Sequence, residues 1–263
     1  MRTTLVTGSA GGMGIAIRKR LESQGQRVIG ADVRDAEIVA DLSAVDGRAA
    51  MIDEAGSLCG GKLDGVVAAA GVADHLAGDL ITSVNYFGAV ATLEGLRPML
   101  AQGDAPRAVA VSSNSIISAA ISGKLNDLCR AGDEEAARRH ALELGSKNSL
   151  VYGTAKLALA HWVREASIRD EWIGSGITLN AIAPGLIRTP MNPKEHEDAV
   201  LAMGEAYPIP ARRAGTAEEI GGLVSYLLSE EAGFLCGTVT FIDGGTEAAM
   251  RGGEWPAPRV MVD

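Results

Sequence analysis

Cysteine and histidine are scarce in this sequence of 263 residues, and their scarcity argues against two classes of protein. The three cysteines (Cys59, Cys129 and Cys236) are odd in number and widely spaced, without a Cys-x-x-Cys pair, so we expect no disulfide framework. The four histidines lack the spacing of metal ligands, so we predict no metal site. Reduced thiols of this kind favour a cytoplasmic location.

Long hydrophobic runs and basic blocks are missing as well. The longest apolar runs, such as residues 66–73, are far shorter than the ~20 residues that span a bilayer. A strand-like run begins at Thr3, which leaves no room for a signal peptide. The formal net charge is -9, and no basic block offsets it. We therefore expect neither a nucleic-acid partner nor a membrane partner.

The sequence does contain a regular alternation of strand-like and helix-like segments. Hydrophobic residues make up 47% of the chain, which is enough for a sizeable core at this length. Strands that alternate with helices predict an α/β fold in three layers: a parallel, doubly wound sheet between helices, with right-handed crossovers. Since no linker, repeat or low-complexity segment interrupts the pattern, we predict a single domain over residues 1–263.

A glycine-rich turn follows the first predicted strand. Gly8, Gly12, Met13 and Gly14 lie between that strand and an amphipathic helix. This arrangement can receive a pyrophosphate, because backbone N–H groups point at the anion and missing Cβ atoms permit close approach. On the glycines alone a flexible loop would fit, and the spacing differs from the common Gly-x-Gly-x-x-Gly. The flanking strand and helix favour a dinucleotide site.

An acidic residue ends the second predicted strand. Asp32 lies eighteen residues after the glycine turn, close to where a carboxylate binds the adenosine ribose of a dinucleotide. Such a carboxylate accepts hydrogen bonds from both ribose hydroxyls and repels a 2′-phosphate, which favours NAD over NADP. Arg34 keeps the opposite preference open, because an arginine nearby could serve a phosphate. Asp41 and Leu42 are expected near the adenine.

Small and polar residues end the next two predicted strands, at the edge where ligands bind in such sheets. The first ends in Ala70 and Gly71, which leave space for a cofactor. The second is followed by Ser113, whose hydroxyl is expected in the crevice. Asn85 lies within an apolar helical stretch, where it is either a core polar residue that bends the helix or part of a buried hydrogen-bond relay.

Tyr152 and Lys156 are four residues apart, at the head of a predicted helix over residues 155–167. This spacing puts the phenol and the ammonium on one helix face. A nearby cation favours phenolate, so we expect Lys156 to lower the tyrosine pKa from about 10 toward working pH. A tyrosine of this kind can exchange a proton with an alcohol or carbonyl oxygen. Alone, the same spacing is also common on solvated helix faces.

Two further segments interrupt the regular alternation. Residues 116–149 are predicted to be a helical insertion packed on the outside of the fold, and nothing in them suggests chemistry. Residues 189–213 are rich in proline and partly helical in pattern, which is typical of a substrate lid.

The chain resembles the short-chain dehydrogenase/reductase family. The motifs that carry the resemblance, in chain order, are Thr7-Gly8-x-x-x-Gly12-x-Gly14, Asp32, Asn85, Ser113, Tyr152-x-x-x-Lys156 and Pro184-Gly185. The resemblance covers residues 3–245 and implies a seven-stranded Rossmann-type sheet. It also implies hydride transfer between NAD and an alcohol or carbonyl compound.

The resemblance assigns roles to individual residues. It implies that Tyr152 is the general acid and base, that Ser113 hydrogen-bonds the substrate oxygen and that Lys156 binds the nicotinamide ribose. It further implies that Asn85 holds a water in a proton relay and that Thr189 contacts the nicotinamide carboxamide. The expected cofactor-binding residues are Gly8, Gly12, Met13, Gly14, Asp32, Asp41, Leu42, Ala70, Gly71, Tyr152, Lys156, Pro184, Gly185, Ile187 and Thr189.

Two features depart from the family pattern. Ala68-Ala69-Ala70-Gly71 stands where the family usually has Asn-Asn-Ala-Gly, so the asparagine hydrogen bonds must be replaced or lost. Ser113 and Tyr152 are 39 residues apart, farther than is usual, because of the helical insertion. That insertion resembles the one in bacterial 3α-hydroxysteroid dehydrogenase/carbonyl reductases, and related coniferyl-alcohol dehydrogenases share the pattern.

The resemblance therefore implies an NAD-dependent oxidoreductase of a hydrophobic secondary alcohol and ketone, with 3α-hydroxysteroids among the candidates. A coniferyl-alcohol-type aryl-alcohol dehydrogenase is the alternative. An NAD-binding protein without catalysis is the alternative from another class. The family also implies a homodimer or homotetramer, although the insertion adjoins the helix that many members use to dimerise.

Overall fold

The structure is a computed structural model that describes residues 1–190 and 192–255. The predicted lid includes Met191, and the predicted domain extends to residue 263. Met191 and residues 256–263 therefore lie outside the described residues.

The strands are β1 (Thr3–Thr7), β2 (Arg27–Asp32), β3 (Ile38–Val39), β4 (Gly65–Ala68), β5 (Arg107–Val111), β6 (Thr178–Pro184), β7 (Ile187–Arg188), β8 (Gly215–Thr216) and β9 (Val239–Ile242). Seven of them form the central parallel sheet, in the order β3-β2-β1-β4-β5-β6-β9. A second, two-stranded sheet pairs β7 with β8 in parallel. The predicted parallel, doubly wound sheet is confirmed.

Helices cover both faces of this sheet. They are α1 (Gly12–Ser23), α2 (Val45–Cys59), α3 (Gly78–Thr82), α4 (Ala89–Leu100), α5 (Ser115–Ser118), α6 (Gly123–Arg130), α7 (Glu134–Glu143), α8 (Asn148–Ala166), α9 (Lys194–Leu201), α10 (Ala217–Leu227) and α11 (Thr246–Arg251). A π-helical segment (Ser83–Gly88) joins α3 to α4 into one continuous helix. Among the described residues, no helix combines the length and apolar character needed to cross a bilayer.

The core consists of two hydrophobic clusters, one on each face of the sheet. Consecutive strand residues alternate between them: Leu5 belongs to one cluster and Val6 to the other, as do Val66 and Val67. This alternation follows from the two-residue period of a strand. Because both faces are covered, the central strands β5 and β6 are buried along their whole length.

The strand order reverses between β1 and β4, since β1 pairs with β2 on one side and with β4 on the other. The chain leaves these two strands on opposite faces of the sheet, which opens a crevice at their carboxyl ends. Ligands of open α/β sheets bind at such a switch point.

The predicted helical insertion contains α5, α6 and α7, but it is not merely packed on the outside. Leu125 and Cys129 of α6 and Ala137 and Ala141 of α7 are fully buried and belong to the larger core cluster. Each of these two helices is amphipathic over a short length. The charged outer face dominated the sequence pattern, so the extent of the buried face was missed.

The helix that carries Tyr152 begins at Asn148, before the predicted start at Ala155, and ends at Ala166. Glycine and β-branched residues at positions 151–154 weaken the intrinsic helix propensity there. The helix forms because its early turns pack against the insertion: Val151 is fully buried, and Thr154 Oγ1 accepts a hydrogen bond from Ser122 N at 3.0 Å. Tertiary packing overrides propensity at this position.

Candidate functional site

A cleft with a volume of about 390 Å³ opens at the carboxyl ends of the central strands. Its lining includes both predicted ends of a dinucleotide site. The predicted site residues that line it are Gly8, Gly12, Met13, Gly14, Asp32, Asp41, Leu42, Ala70, Gly71, Tyr152, Lys156 and Thr189.

The glycine loop forms one wall of the cleft. Gly8 has φ +69°, and a Cβ there would lie 2.8 Å from Ala70 Cα. A Cβ on Gly14 would clash with the Gly8 carbonyl oxygen. The helix α1 then starts with a glycine N-cap that has no side chain to satisfy the first N–H groups. A tight turn, a close helix start and uncapped N–H groups fit a pyrophosphate.

Asp32 is fixed at the end of β2. Its Oδ2 accepts a hydrogen bond from Ala10 N at 3.0 Å, and its Oδ1 accepts one from Val33 N at 2.7 Å. Each carboxylate oxygen retains further acceptor capacity for a ribose hydroxyl. The orientation of the carboxylate is therefore set before a ligand arrives.

Two arginines lie near this end of the cleft, and they differ in what holds them. Arg34 lines the cleft. Arg18 instead forms a bidentate pair with Glu37, and this hydrogen bonding lowers the pKa of Glu37 to about 2. Glu37 also accepts a hydrogen bond from Gly30 N at 2.9 Å. Of the two cations, Arg18 is thus already neutralised.

Thr7 holds the chain segment after β4, where alanines stand in place of the family's usual asparagines. Its Oγ1 accepts hydrogen bonds from Ala69 N and Ala70 N, both at 3.1 Å. This single hydroxyl anchors the chain as it leaves β4, beside the glycine loop. The alanine side chains leave the cleft open above it.

Asn85 lies in the π-helical segment and is fully buried. Its Oδ1 accepts a hydrogen bond from Val72 N at 2.9 Å, and its Nδ2 donates one to Val72 O at 3.0 Å. A Cβ on Gly71 would lie 3.0 Å from Asn85 Oδ1 and 3.4 Å from Lys156 Nζ. Asn85 therefore clamps the loop after β4 and lies close to the lysine. π-helical segments of this kind often mark functional sites.

Tyr152 and Lys156 project from α8 toward the end of β5. Lys156 Nζ donates a hydrogen bond to Val111 O at 2.8 Å and lies 5.9 Å from the centroid of the Tyr152 ring. Ser112 Oγ donates to the Lys156 carbonyl at 2.9 Å, which ties the strand to the helix. The lysine is almost fully buried. Its position is thus set by β5 as much as by α8.

The structure contradicts the expectation that Lys156 lowers the pKa of Tyr152. Burial raises the pKa of Tyr152, and the nearby Ser113 hydroxyl only partly offsets this rise. Burial also lowers the pKa of Lys156 to about 8. The ammonium is bonded to a backbone carbonyl rather than to the phenol, so desolvation is the larger effect on both groups.

Some of the predicted cofactor-binding residues do not line the cleft. Pro184 ends β6, and Gly185 packs against Asp243, where an added Cβ would lie 2.6 Å from the Asp243 Cβ. Ile187 is buried in the smaller hydrophobic cluster. Thr189 does reach the cleft and lies over Gly12. A Cβ added to Gly12 would be 2.8 Å from the Thr189 Cβ.

One polar pair beside the site has no sequence signature. Asn114, next to Ser113, is buried, and its Nδ2 donates to the Tyr207 hydroxyl at 2.7 Å. The same hydroxyl donates to Asn114 Oδ1 at 3.0 Å. Tyr207 also raises the pKa of Tyr152, which indicates that the two phenols are neighbours. The pair joins the predicted lid to the strand end that presents Ser113.

Comparisons with known proteins identify the class of protein to which the chain is similar. A family profile described as "Enoyl-(Acyl carrier protein) reductase" matches residues 145–247. The chain is 35% identical to the 3-alpha-hydroxysteroid dehydrogenase/carbonyl reductase of Comamonas testosteroni, over 95% of this chain and 98% of that protein. It is 29% identical to the cis-4-hydroxycyclohexanecarboxylate dehydrogenase of Sinomonas cyclohexanicum, over 94% of this chain and 97% of that protein.

A solved structure extends the similarity. The 3-alpha-hydroxysteroid dehydrogenase from Pseudomonas sp. B-0831, complexed with NADH, matches with a TM-score of 0.86 at 36% identity. The match covers 95% of this chain and 98% of that one. The chain belongs to the short-chain dehydrogenase/reductase family, and it is an oxidoreductase with a Rossmann-type fold.

Proposed function

We propose that this protein is an NAD(H)-dependent oxidoreductase that interconverts a secondary alcohol and a ketone, with Tyr152 as general acid and base. The observation that carries the proposal is a single cleft with the glycine loop and Asp32 at one part and Tyr152 with Lys156 at another. A dinucleotide in this cleft would be held by the glycine loop and Asp32 at one part and by Lys156, beside Tyr152, at the other. Bound nicotinamide supplies or accepts the hydride.

Tyr152 handles the proton. Because burial raises its pKa, the phenol is protonated at neutral pH and is ready to donate to a carbonyl oxygen during reduction. In the oxidation direction, the phenolate accepts the hydroxyl proton. Ser113 holds the substrate oxygen by a hydrogen bond. Its proximity to Tyr152 supports this role, since the serine hydroxyl favours the phenolate.

Four further residues support this chemistry. Lys156, with a pKa of about 8, is mostly cationic at neutral pH and is available to the nicotinamide ribose. Asn85 holds the loop after β4 and, in this proposal, a water that relays the proton. Thr189, over the glycine loop, contacts the carboxamide. Asp32 would bind the adenosine ribose, which favours NAD(H). The preference for NAD(H) is supported by a similar structure that is complexed with NADH.

The proposed substrate is a hydrophobic cyclic alcohol or ketone, with 3α-hydroxysteroids as the leading candidates. The support is similarity along most of the chain to a 3-alpha-hydroxysteroid dehydrogenase/carbonyl reductase. Another relative also acts, by its name, on a hydroxyl group of a saturated ring. The segment that contains α9 is proposed as a lid over this substrate, held by the bond between Tyr207 and Asn114.

We also propose a cytoplasmic homo-oligomer, either a dimer or a tetramer. The three cysteines are free thiols, which suits a reducing compartment. The strand β9 lies at an edge of the sheet and is only partly buried, and Phe234 and Tyr226 are exposed. A partly buried edge strand with exposed aromatic side chains supports self-association. Light scattering of the purified protein measures the subunit number.

The proposal is tested by measuring NAD⁺ reduction with a 3α-hydroxysteroid, a substituted cyclohexanol and coniferyl alcohol, each repeated with NADP⁺. We expect turnover of the cyclic secondary alcohols with NAD⁺. Preference for coniferyl alcohol would support the aryl-alcohol alternative. Binding of NADH without turnover of any alcohol, or of the corresponding ketones and aldehyde, would contradict the enzymatic proposal.

A further inference from the structure

Arg48, on α2, joins the backbone of two elements beside the cleft. Its side chain is buried, and its Nε donates a hydrogen bond to Leu42 O at 2.7 Å. Its Nη2 donates to Ser43 O and to Ser83 O, each at 3.2 Å. Leu42 lines the cleft, and Ser83 is the first residue of the π-helical segment. The guanidinium therefore fixes a loop and a helix that both border the expected adenine position.

The same guanidinium is held from the other side by the helical insertion. Glu134, the first residue of α7, accepts hydrogen bonds from Nη1 and Nη2 of Arg48, both at 2.7 Å. The side chains are only 7% and 21% exposed, respectively for Arg48 and Glu134. A bidentate pair in such a place orients the guanidinium, and removing one partner leaves a buried charge uncompensated.

The insertion also contacts the neighbouring helix of the cleft wall directly. α7 packs so closely on α3 that a Cβ on Gly78 would lie 2.8 Å from Ala141 O. α3 and the π-helical segment contribute Leu80 and Val84 to the cleft lining. The insertion thus supports the cofactor cleft at two places, through Arg48 and through α3.

We propose that Glu134 is a positioning residue for cofactor binding. Through Arg48, it holds Leu42 and the start of the π-helical segment in the geometry that accepts the adenosine end of NAD(H). The inference rests on the proposed NAD(H) function. Loss of the ion pair between Glu134 and Arg48 lowers the fraction of protein that is competent to bind NAD(H). The apparent Kd is the intrinsic Kd divided by that fraction, so it rises.

The test compares Glu134→Gln with Glu135→Gln by titrating NADH against protein fluorescence. Glu135 is the matched control, because it is the next residue in the helix and its side chain is 92% exposed. We expect the Kd of NADH to rise about tenfold in Glu134→Gln, equivalent to about 1.4 kcal/mol. In Glu135→Gln, we expect it to stay within about twofold of wild type.

Hydrogen exchange of residues 40–45, measured without NADH, supplies the second readout. We expect faster exchange in Glu134→Gln and unchanged exchange in Glu135→Gln. An unchanged Kd of NADH in Glu134→Gln overturns the inference, and so does a higher Kd without faster hydrogen exchange. If that variant does not fold, Glu134→Asp replaces it with the same outcomes. Failure of the wild-type protein to bind NADH would instead contradict the proposed function.

Discussion

Replacing Asp32 by asparagine tests how the cleft chooses between NAD(H) and NADP(H). The substitution keeps the shape and one oxygen acceptor, so the bond to Ala10 N can persist. It removes the negative charge that is proposed to bind two ribose hydroxyls and to repel a 2′-phosphate. Hydrogen bonds to a charged group contribute about 1.5–3 kcal/mol, so we expect kcat/KM for NAD⁺ to fall by about 10- to 150-fold.

The same change is expected to raise kcat/KM for NADP⁺, because Arg34 lines the cleft and can then meet the phosphate without an opposing carboxylate. The assay is kcat/KM for both cofactors with one saturating alcohol, in wild type and variant. Asp35→Asn is the control, because this aspartate is close in the chain but does not line the cleft. An unchanged NAD⁺ to NADP⁺ ratio in Asp32→Asn would refute the ribose assignment.

Two other predictions follow from the tyrosines. Alcohol oxidation requires the Tyr152 phenolate, which is scarce at neutral pH because burial raises the pKa of Tyr152. We therefore expect kcat/KM for alcohol oxidation to rise with pH to at least 8. A plateau of kcat/KM below pH 7 would contradict this prediction. Tyr207→Phe leaves the buried Asn114 amide without its hydrogen-bond partner. An unsatisfied buried polar group costs about 1–3 kcal/mol, so we expect kcat/KM to fall about tenfold. The affinity for NADH should be unchanged. The control is Tyr226→Phe, at an exposed tyrosine, and equal activities of the two variants would refute a role for the pair.

The fold and the cofactor cleft were predictable where the signal is local. A strand, a glycine turn and a helix in succession predict the phosphate-binding loop. Asp32 is predicted as a ribose ligand because it ends the second strand. Thr189 was predicted as a site residue only through the family resemblance, although the structure brings it over the glycine loop. The parallel sheet and its right-handed crossovers follow from the alternation of strands and helices, whereas the strand order was not predicted.

Contacts between distant segments were not predictable in the same way. Arg48 and Glu134 are 86 residues apart in the chain, and Asn114 and Tyr207 are 93 apart. Neither pair has a periodic or motif signal, and each depends on how helices pack after the sheet forms. Burial sets the direction of the Tyr152 pKa shift, and the spacing of Tyr152 and Lys156 does not reveal that burial.

The central claim is that Tyr152 transfers the proton in a cleft that binds NAD(H). The most direct test is Tyr152→Phe, which removes only the hydroxyl and keeps the ring beside Lys156. We expect kcat with the best alcohol substrate to fall by about 10²–10⁴ while the variant still binds NADH. Near wild-type turnover by this variant would contradict the account.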